Sequence, residues 1–291
     1  EETSVTQADG PVDEAVEQVK DTADEVARQA SPWIVGLARF GYVAKGVVYV
    51  VIGVLAMLEA LGMVGGKTAS PGGAVKSIGS QYLGEFLLVV LAAGLFGYAL
   101  WKVVQGVMDP DDKGSDAAGV VRRVAYVGSG LIHGALAYTA AQSVFGAEDS
   151  SEDAMAVSAM AFQPPVGQVL VGVVGVVVLS VGAYQLHAAY KAKFLHDLKL
   201  GEMSDAQEHW VTLAGRVGTV ARAIAIGVAG AFVLLAAYQS DPQESRGLGG
   251  ALETIQQQTY GSYMLGAIAA GFILYGGFMF AIARYRHIEC T

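Results

Sequence analysis

Residues 38–62 read ARFGYVAKGVVYVVIGVLAMLEALG, an apolar helical run with a basic lead-in, and the pattern returns twice. Residues 122–146 read RRVAYVGSGLIHGALAYTAAQSVFG, and residues 215–239 read GRVGTVARAIAIGVAGAFVLLAAYQ. Laid over one another, Arg39, Arg123 and Arg216 coincide. So do Gly41, Ala125 and Gly218, then Ala44, Gly128 and Ala221, then Gly53, Ala137 and Gly230. Self-similarity at this spacing fixes the architecture before any single residue is weighed. One helical-hairpin unit is used three times.

The solvent for that unit follows from composition. Of 291 residues, 53% are hydrophobic and only 15% charged, against about a quarter charged in an average soluble domain. The mean hydropathy is +0.45. The charge deficit sits in long runs, as in membrane spans. A net charge of −9 argues against a nucleic-acid partner. The one cysteine, Cys290, cannot close an internal disulfide. The acidic, polar start EETSVTQADG does not read as a signal peptide.

Six apolar runs are expected to span the bilayer: 41–61, 83–107, 123–145, 166–189, 217–238 and 261–283. The predicted fold is an all-α integral membrane protein, six transmembrane helices forming three parallel helix-pair repeats in a pseudo-three-fold arrangement. Residues 1–32 form an acidic segment whose Val12, Val16, Val19, Ala23 and Val26 recur at helical spacing, ending at Ser31-Pro32. That amphipathic helix packs on the protein's own cytoplasmic face or docks a partner; its acidic face disfavours anionic lipid. Repeat 1 takes residues 33–110, repeat 2 residues 120–190 and repeat 3 residues 215–291, with a cytoplasmic connector over 191–214. In the connector, Ser204 followed by Gln207 is a capping-box signature, and its helix is expected to carry Trp210 to the interface.

Arg39, Lys45, Lys102, Lys113, Arg122, Arg123, Lys191, Lys193, Lys199, Arg216, Arg284 and Arg286 flank one side, against Lys67, Lys76 and Arg246 on the other. The positive-inside rule makes the first side cytoplasmic, with both termini inside. The expected location is a bacterial cytoplasmic (inner) membrane. Each pair of spans is joined by a short amphipathic outer segment closing on a glycine: Gly84, Gly167 and Gly261. Second spans agree less well. Gly94, Tyr98 and Trp101 overlay Gly271, Tyr275 and Phe278, and Tyr184 and His187 join them only after a gap.

The run Ala38-Arg39-Phe40-Gly41-Tyr42-Val43-Ala44-Lys45-Gly46 carries a resemblance. With Gly97-Tyr98-Ala99-Leu100-Trp101, Leu248-Gly249-Gly250-Ala251-Leu252 and the ending Ala283-Arg284-Tyr285-Arg286, it resembles a bacterial membrane-protein family known as domain of unknown function 1206. The resemblance covers residues 39–288 and implies three helix pairs but no activity. The third unit departs at Thr219 and Ile226, where the first has Tyr42 and Tyr49.

Few side chains could carry chemistry. His133, between Gly130 and Gly134 in the third span, is a structural histidine or a cofactor-binding ligand for a haem or chlorophyll-type metal. Pairing it with His187 is disfavoured by their different depths. Lys45 and Arg222 occupy equivalent positions, with Ser129 between them in the order of repeats. They read as interfacial anchors, or as an anion or lipid-headgroup site near the axis. Arg39, Arg123 and Arg216 form the most regular set and read as topology determinants. His287, Glu289 and Cys290 lack metal-site spacing. No catalytic motif stands out.

The leading expectation is therefore a non-enzymatic structural or accessory subunit of a membrane assembly, with the lipid bilayer and other subunits as partners. A small-solute or ion pathway along the pseudo-three-fold axis is the alternative, and a haem- or pigment-binding subunit using His133 a third. The sequence assigns no cofactor.

Overall fold

The computed structural model of the chain is all-helical and describes residues 11–63, 70–80, 82, 84–109, 116–145, 166–239 and 248–286, with the side chains of 11–34 left aside. The middle outer segment, the loop residues Lys67, Glu148, Asp149, Glu152, Asp153, Asp241, Glu244 and Arg246, and the group His287, Glu289 and Cys290 lie outside the described residues.

The helices, in chain order, are α1 (Pro11–Ala60), α2 (Pro71–Gly79), α3 (Gly84–Val107), α4 (Ala117–Phe145), α5 (Val166–Tyr190), α6 (Asp205–Gln239), α7 (Leu248–Gln256) and α8 (Gly261–Tyr285). Five stretches are long and apolar enough to cross a bilayer: Val35–Ala60, Gly84–Val107, Val171–Tyr190, Asp205–Gln239 and Gly261–Tyr285. The expected third span, on α4, is not among them. That helix carries Arg122, Arg123, Tyr126, Ser129, His133, Thr139 and Gln142 along its length, and these dilute its apolar character.

Two boundaries differ from expectation. The first helix does not stop at Ser31-Pro32 but runs on through it. Proline removes one backbone donor and kinks or strains a helix, yet need not end it when the flanking turns continue on either side. The connector helix also runs on into the third repeat. After two short 3₁₀ turns, Lys193–Asp197 and Leu200–Glu202, α6 starts at Asp205 and continues without interruption past Gly215. Its start is the expected capping box. The Ser204 N–H donates to Gln207 Oε1 at 3.0 Å, and the Gln207 N–H donates to Ser204 Oγ at 3.3 Å. Trp210 lies on its first turns, 65% exposed.

Short outer helices precede α3 and α8. In α2, Ser70 caps the N-terminus by accepting from the Gly73 N–H at 3.0 Å, and Pro71 takes the first turn, where a missing donor costs nothing. The residues that align between the outer helices, Ala74 with Ala251 and Val75 with Leu252, are all fully buried. The closing glycines follow from sterics. A methyl on Gly84 would lie 2.0 Å from the Gly79 carbonyl oxygen, and one on Gly261 would lie 1.8 Å from that of Gln256.

The long helices pack as a chain of neighbours: α3 on α4, α1 on α3, α1 on α8, α6 on α8, and α5 on α6. Small residues make these approaches, which in lipid rest on dispersion contact rather than on a hydrophobic drive. Within the first and third repeats the contact is the same. A methyl on Gly41 would meet the Tyr98 backbone nitrogen at 2.5 Å, and one on Gly218 would meet that of Tyr275 at 2.6 Å. One turn on, Ala44 fits against Gly94 and Ala221 against Gly271. Between repeats a second motif recurs: Gly46 against Gly276, Gly130 against Ala99, and Gly182 against Ala223.

That second motif settles the register of α5. Gly182 stands where Ala99 and Gly276 stand, so Val181, not Tyr184, occupies the place of Tyr98 and Tyr275. The gapped overlay of Tyr184 and His187 is thereby corrected: both are exposed on α5. Among the described residues, α4 and α5 are not a closely packed pair, although they form one repeat.

Candidate anion site

Spacing along each first helix puts three layers on the inward face, at positions 42/126/219, 45/129/222 and 49/133/226, three or four residues apart. Tyr42, Lys45 and Tyr49 fill them from α1, Tyr126, Ser129 and His133 from α4, and Thr219, Arg222 and Ile226 from α6. The second helices add Tyr98, Lys102 and Gln105 from α3, Gln185 from α5, and Tyr275 from α8. The result is a polar, aromatic and cationic cluster in an otherwise apolar bundle.

Lys45 is 5% exposed. Its ammonium donates to the Tyr98 hydroxyl at 2.7 Å and sits 4.5 Å from the centre of that ring. The Tyr275 ring lies 5.9 Å away on another side. Arg222 donates through Nε to the Tyr49 hydroxyl at 2.7 Å and through Nη1 to Gln185. Its guanidinium is 5.5 Å from the Tyr275 ring and 5.7 Å from that of Tyr49. Lys102 donates to Gln105 Oε1 at 2.7 Å and stands 4.4 Å over the Tyr126 ring. At the helix ends, Arg286 donates to the Tyr42 hydroxyl and lies 3.7 Å from Asp197.

The aromatic side chains brace one another. Tyr42 meets Tyr98 edge-on at 5.2 Å, and Tyr49 meets Tyr275 at 4.7 Å. His133 is nearly buried, 9% exposed, with its ring 4.6 Å from that of Tyr98. Its Nδ1 is 2.8 Å from the Ser129 carbonyl oxygen. A carbonyl only accepts, so Nδ1 carries the proton and Nε2 keeps its lone pair. That leaves His133 able to accept a hydrogen bond or to ligate.

The electrostatics are one-sided. The charged side chains acting most strongly on Lys45 are Arg222, Lys102 and Arg286, all of its own sign. Among the described residues no carboxylate stands within ion-pair distance of Lys45 or Arg222. The buried acid Glu59 is no counter-ion. It lies 14 residues further along α1, about 21 Å by helical rise. Among the described residues its Oε1 has no hydrogen-bond partner, while its backbone oxygen accepts from Gln256. A buried charge without a partner is costly; hydroxyls and ring faces offset part of that cost. The Tyr98 and Tyr49 hydroxyls accept from the cations; Tyr98 also bonds the Ser129 side chain, and the Tyr49 O–H is left as a donor. The cluster therefore offers hydrogen-bond donors and positive charge, a match for an anion rich in oxygen acceptors.

The sequence-predicted residues divide into two groups. Lys45, Arg222 and His133 come together around Tyr98 and Tyr275. The three aligned arginines do not. Arg39 and Arg216 are exposed, and Arg123 donates to the Gly106 and Val107 carbonyl oxygens at 2.9 and 2.7 Å, closing the C-terminus of α3. Lys102 and Arg286, read from sequence as flanking charges, are buried, each 7% exposed. Sequence reasoning missed Tyr98, Tyr275, Tyr49 and Gln185 as members of the cluster. The repeated tyrosine at 98 and 275 was the available signal, because a polar-tipped ring kept at one helical position in two repeats needs a partner in lipid.

No solved structure matches the chain. A protein of Bacillus subtilis (strain 168) described as "Uncharacterized protein YxxB" is 31% identical over 266 residues, covering 91% of this chain and 95% of that protein. Three stretches, 40–109, 124–192 and 217–286, each match the family described as Domain of Unknown Function (DUF1206). The chain belongs to the family Domain of Unknown Function (DUF1206), as a three-fold repetition of its unit.

Proposed function

We propose that the chain is a six-span protein of the bacterial cytoplasmic membrane, both termini inside, whose three repeats stand about a pseudo-three-fold axis and hold a small oxyanion between them. The protein is a non-enzymatic binding site and pathway for that anion. One observation carries this reading: Lys45 and Arg222, at equivalent positions of the first and third repeats, share tyrosines and, among the described residues, no carboxylate. The recurrence of one glycine contact at three inter-repeat interfaces supports the pseudo-symmetry. Gly41, Gly46, Gly130, Gly182, Gly218 and Gly276 are occupied by contacts within the chain and so do not argue for a partner subunit.

The test is flux and binding of sulfate and inorganic phosphate with the full chain in liposomes. Replacing Lys45→Gln or Arg222→Gln is expected to lower either readout at least about tenfold, the scale of one lost charge-assisted bond. Arg39→Gln and Arg216→Gln, at exposed sites, are expected to change it less than twofold. Absence of binding and flux for both anions, or equal values for Arg222→Gln and the parent chain, would refute the reading.

A further inference from the structure

The second repeat is built differently at one seam, and the difference lies next to the cations. In repeats 1 and 3 the two long helices close on each other through Gly41 on Tyr98 and Gly94 on Ala44, and through Gly218 on Tyr275 and Gly271 on Ala221. The second repeat has Ala125 and Val177 in the places of these glycines, and both are exposed. Two added side chains occupy the space that close approach requires. A methyl on Gly128, the counterpart of Ala44 and Ala221, would meet nothing within 4 Å. The α4–α5 edge is thus open by sequence, with an apolar rim: Val173, Val174, Val176 and Val177 are each more than half exposed.

The rim leads to the charge. Along α5, Val177 and Val181 are followed one turn later by Gln185, which accepts from Arg222. Along α4, Gly128 precedes Ser129, whose carbonyl fixes His133. An apolar edge without glycine closure, beside buried cations, fits a molecule with an apolar tail and an anionic head. We propose that the oxyanion at Lys45 and Arg222 is the phosphate headgroup of an anionic membrane lipid, which enters sideways between α4 and α5 with its acyl chains along that edge. This inference rests on the anion-site reading and adds the source of the anion. Charge complementarity selects the lipid: a neutral chain would leave Lys45 and Arg222 without a counter-charge, and an anionic headgroup supplies one.

The experiment uses the full chain in phosphatidylcholine vesicles containing one of two photoreactive lipids, phosphatidylglycerol or diacylglycerol with a diazirine on one acyl chain, and maps the labelled residues by mass spectrometry. Phosphatidylglycerol is expected to label Ala125, Gly128, Val177 and Val181 at least fivefold above other lipid-facing positions, and diacylglycerol is expected not to. Arg222→Gln and the edge-filling Gly128→Phe should each remove that enrichment. The Cβ of Gly128→Phe meets nothing within 4 Å, and matching elution volume and helical signal to the parent would show that the ring is accommodated. Phosphate binding by Gly128→Phe should stay within twofold. Even labelling of all faces, with phosphate binding still lost in Arg222→Gln, would overturn the lipid inference and leave the anion site standing. Cross-linking of α4 or α5 to a second copy would overturn it too, by giving the edge a protein occupant. If Arg222→Gln changed neither phosphate binding nor labelling, the anion reading would fall with it.

Discussion

Replacing Gly41 by alanine and Gly128 by alanine tests the packing logic, because the two changes are chemically identical and sterically opposite. At Gly41 the new methyl would lie 2.5 Å from the Tyr98 backbone nitrogen and 2.6 Å from its Cα. Ordinary carbon contacts lie at about 3.5–4.0 Å, so α1 and α3 must part by about 1 Å. Overpacking of this kind costs ~1–3 kcal/mol, and the propensity gain of Gly→Ala in a helix returns up to ~1 kcal/mol. The net effect is a loss of ~0–2 kcal/mol. At Gly128 nothing stands within 4 Å, so only the propensity gain remains, up to ~1 kcal/mol. The two variants should differ by ~1–3 kcal/mol, or several degrees in unfolding midpoint at about 2–4 °C per kcal/mol. Gly218→Ala should behave as Gly41→Ala does, since it meets Tyr275 at 2.6 Å. Thermal unfolding of all three in one detergent, followed by helical circular dichroism, decides it. Equal midpoints for Gly41→Ala and Gly128→Ala would refute the claim that glycine contacts close repeats 1 and 3 while repeat 2 stays open.

Two further outcomes follow from local geometry. Arg123→Ala removes both bonds to the last carbonyls of α3; it should cost ~1–2 kcal/mol for a partly exposed charged donor and raise amide exchange in residues after Lys102, whereas Arg123→Lys should recover less than half. Ser204→Ala opens the capping box at the start of α6. A loss of ~1 kcal/mol is expected, seen as faster exchange over residues 205–209 with no change around Arg222; unchanged exchange there would count against the cap.

Much of the fold was legible in sequence because its rules are local. Apolar length, the capping box and the closing glycines each depend on residues within a few turns. The helix pairs, their order and the outer helices α2 and α7 followed from those. What did not follow was the continuity of α1 through Pro32 and of α6 through Gly215, since a proline and a polar stretch are weak stop signals when the helix continues on both sides. The site was legible in part. Lys45, Arg222 and His133 were picked out, but the even alignment of Arg39, Arg123 and Arg216 drew equal attention, and those three lie apart. Regular alignment marks a shared fold requirement, such as the helix closure that Arg123 makes at α3. Side-chain direction separates the two sets: positions 45 and 222 point inward toward Tyr98 and Tyr49, and no periodicity argument supplied those partners.

The three repeats share a frame and divide the labour. Repeats 1 and 3 keep the glycines that draw their helices together, and they keep a cation at the middle layer, Lys45 and Arg222. Repeat 2 gives up the glycines, through Ala125 and Val177, and it also gives up the cation, through Ser129. The two losses fall on the same helix, at positions 125 and 129, one turn apart. An open edge beside a third buried cation would expose it to the hydrocarbon, at a high energetic cost. An open edge beside a serine and a histidine, with Lys45 held by Tyr98 and Arg222 by Tyr49 and Gln185, avoids that cost while leaving Arg222 within reach of whatever enters. Closing the edge with glycines at 125 and 177, or restoring a lysine at 129, should each oppose this arrangement, and they should do so independently of whether the anion is free or tethered to a lipid.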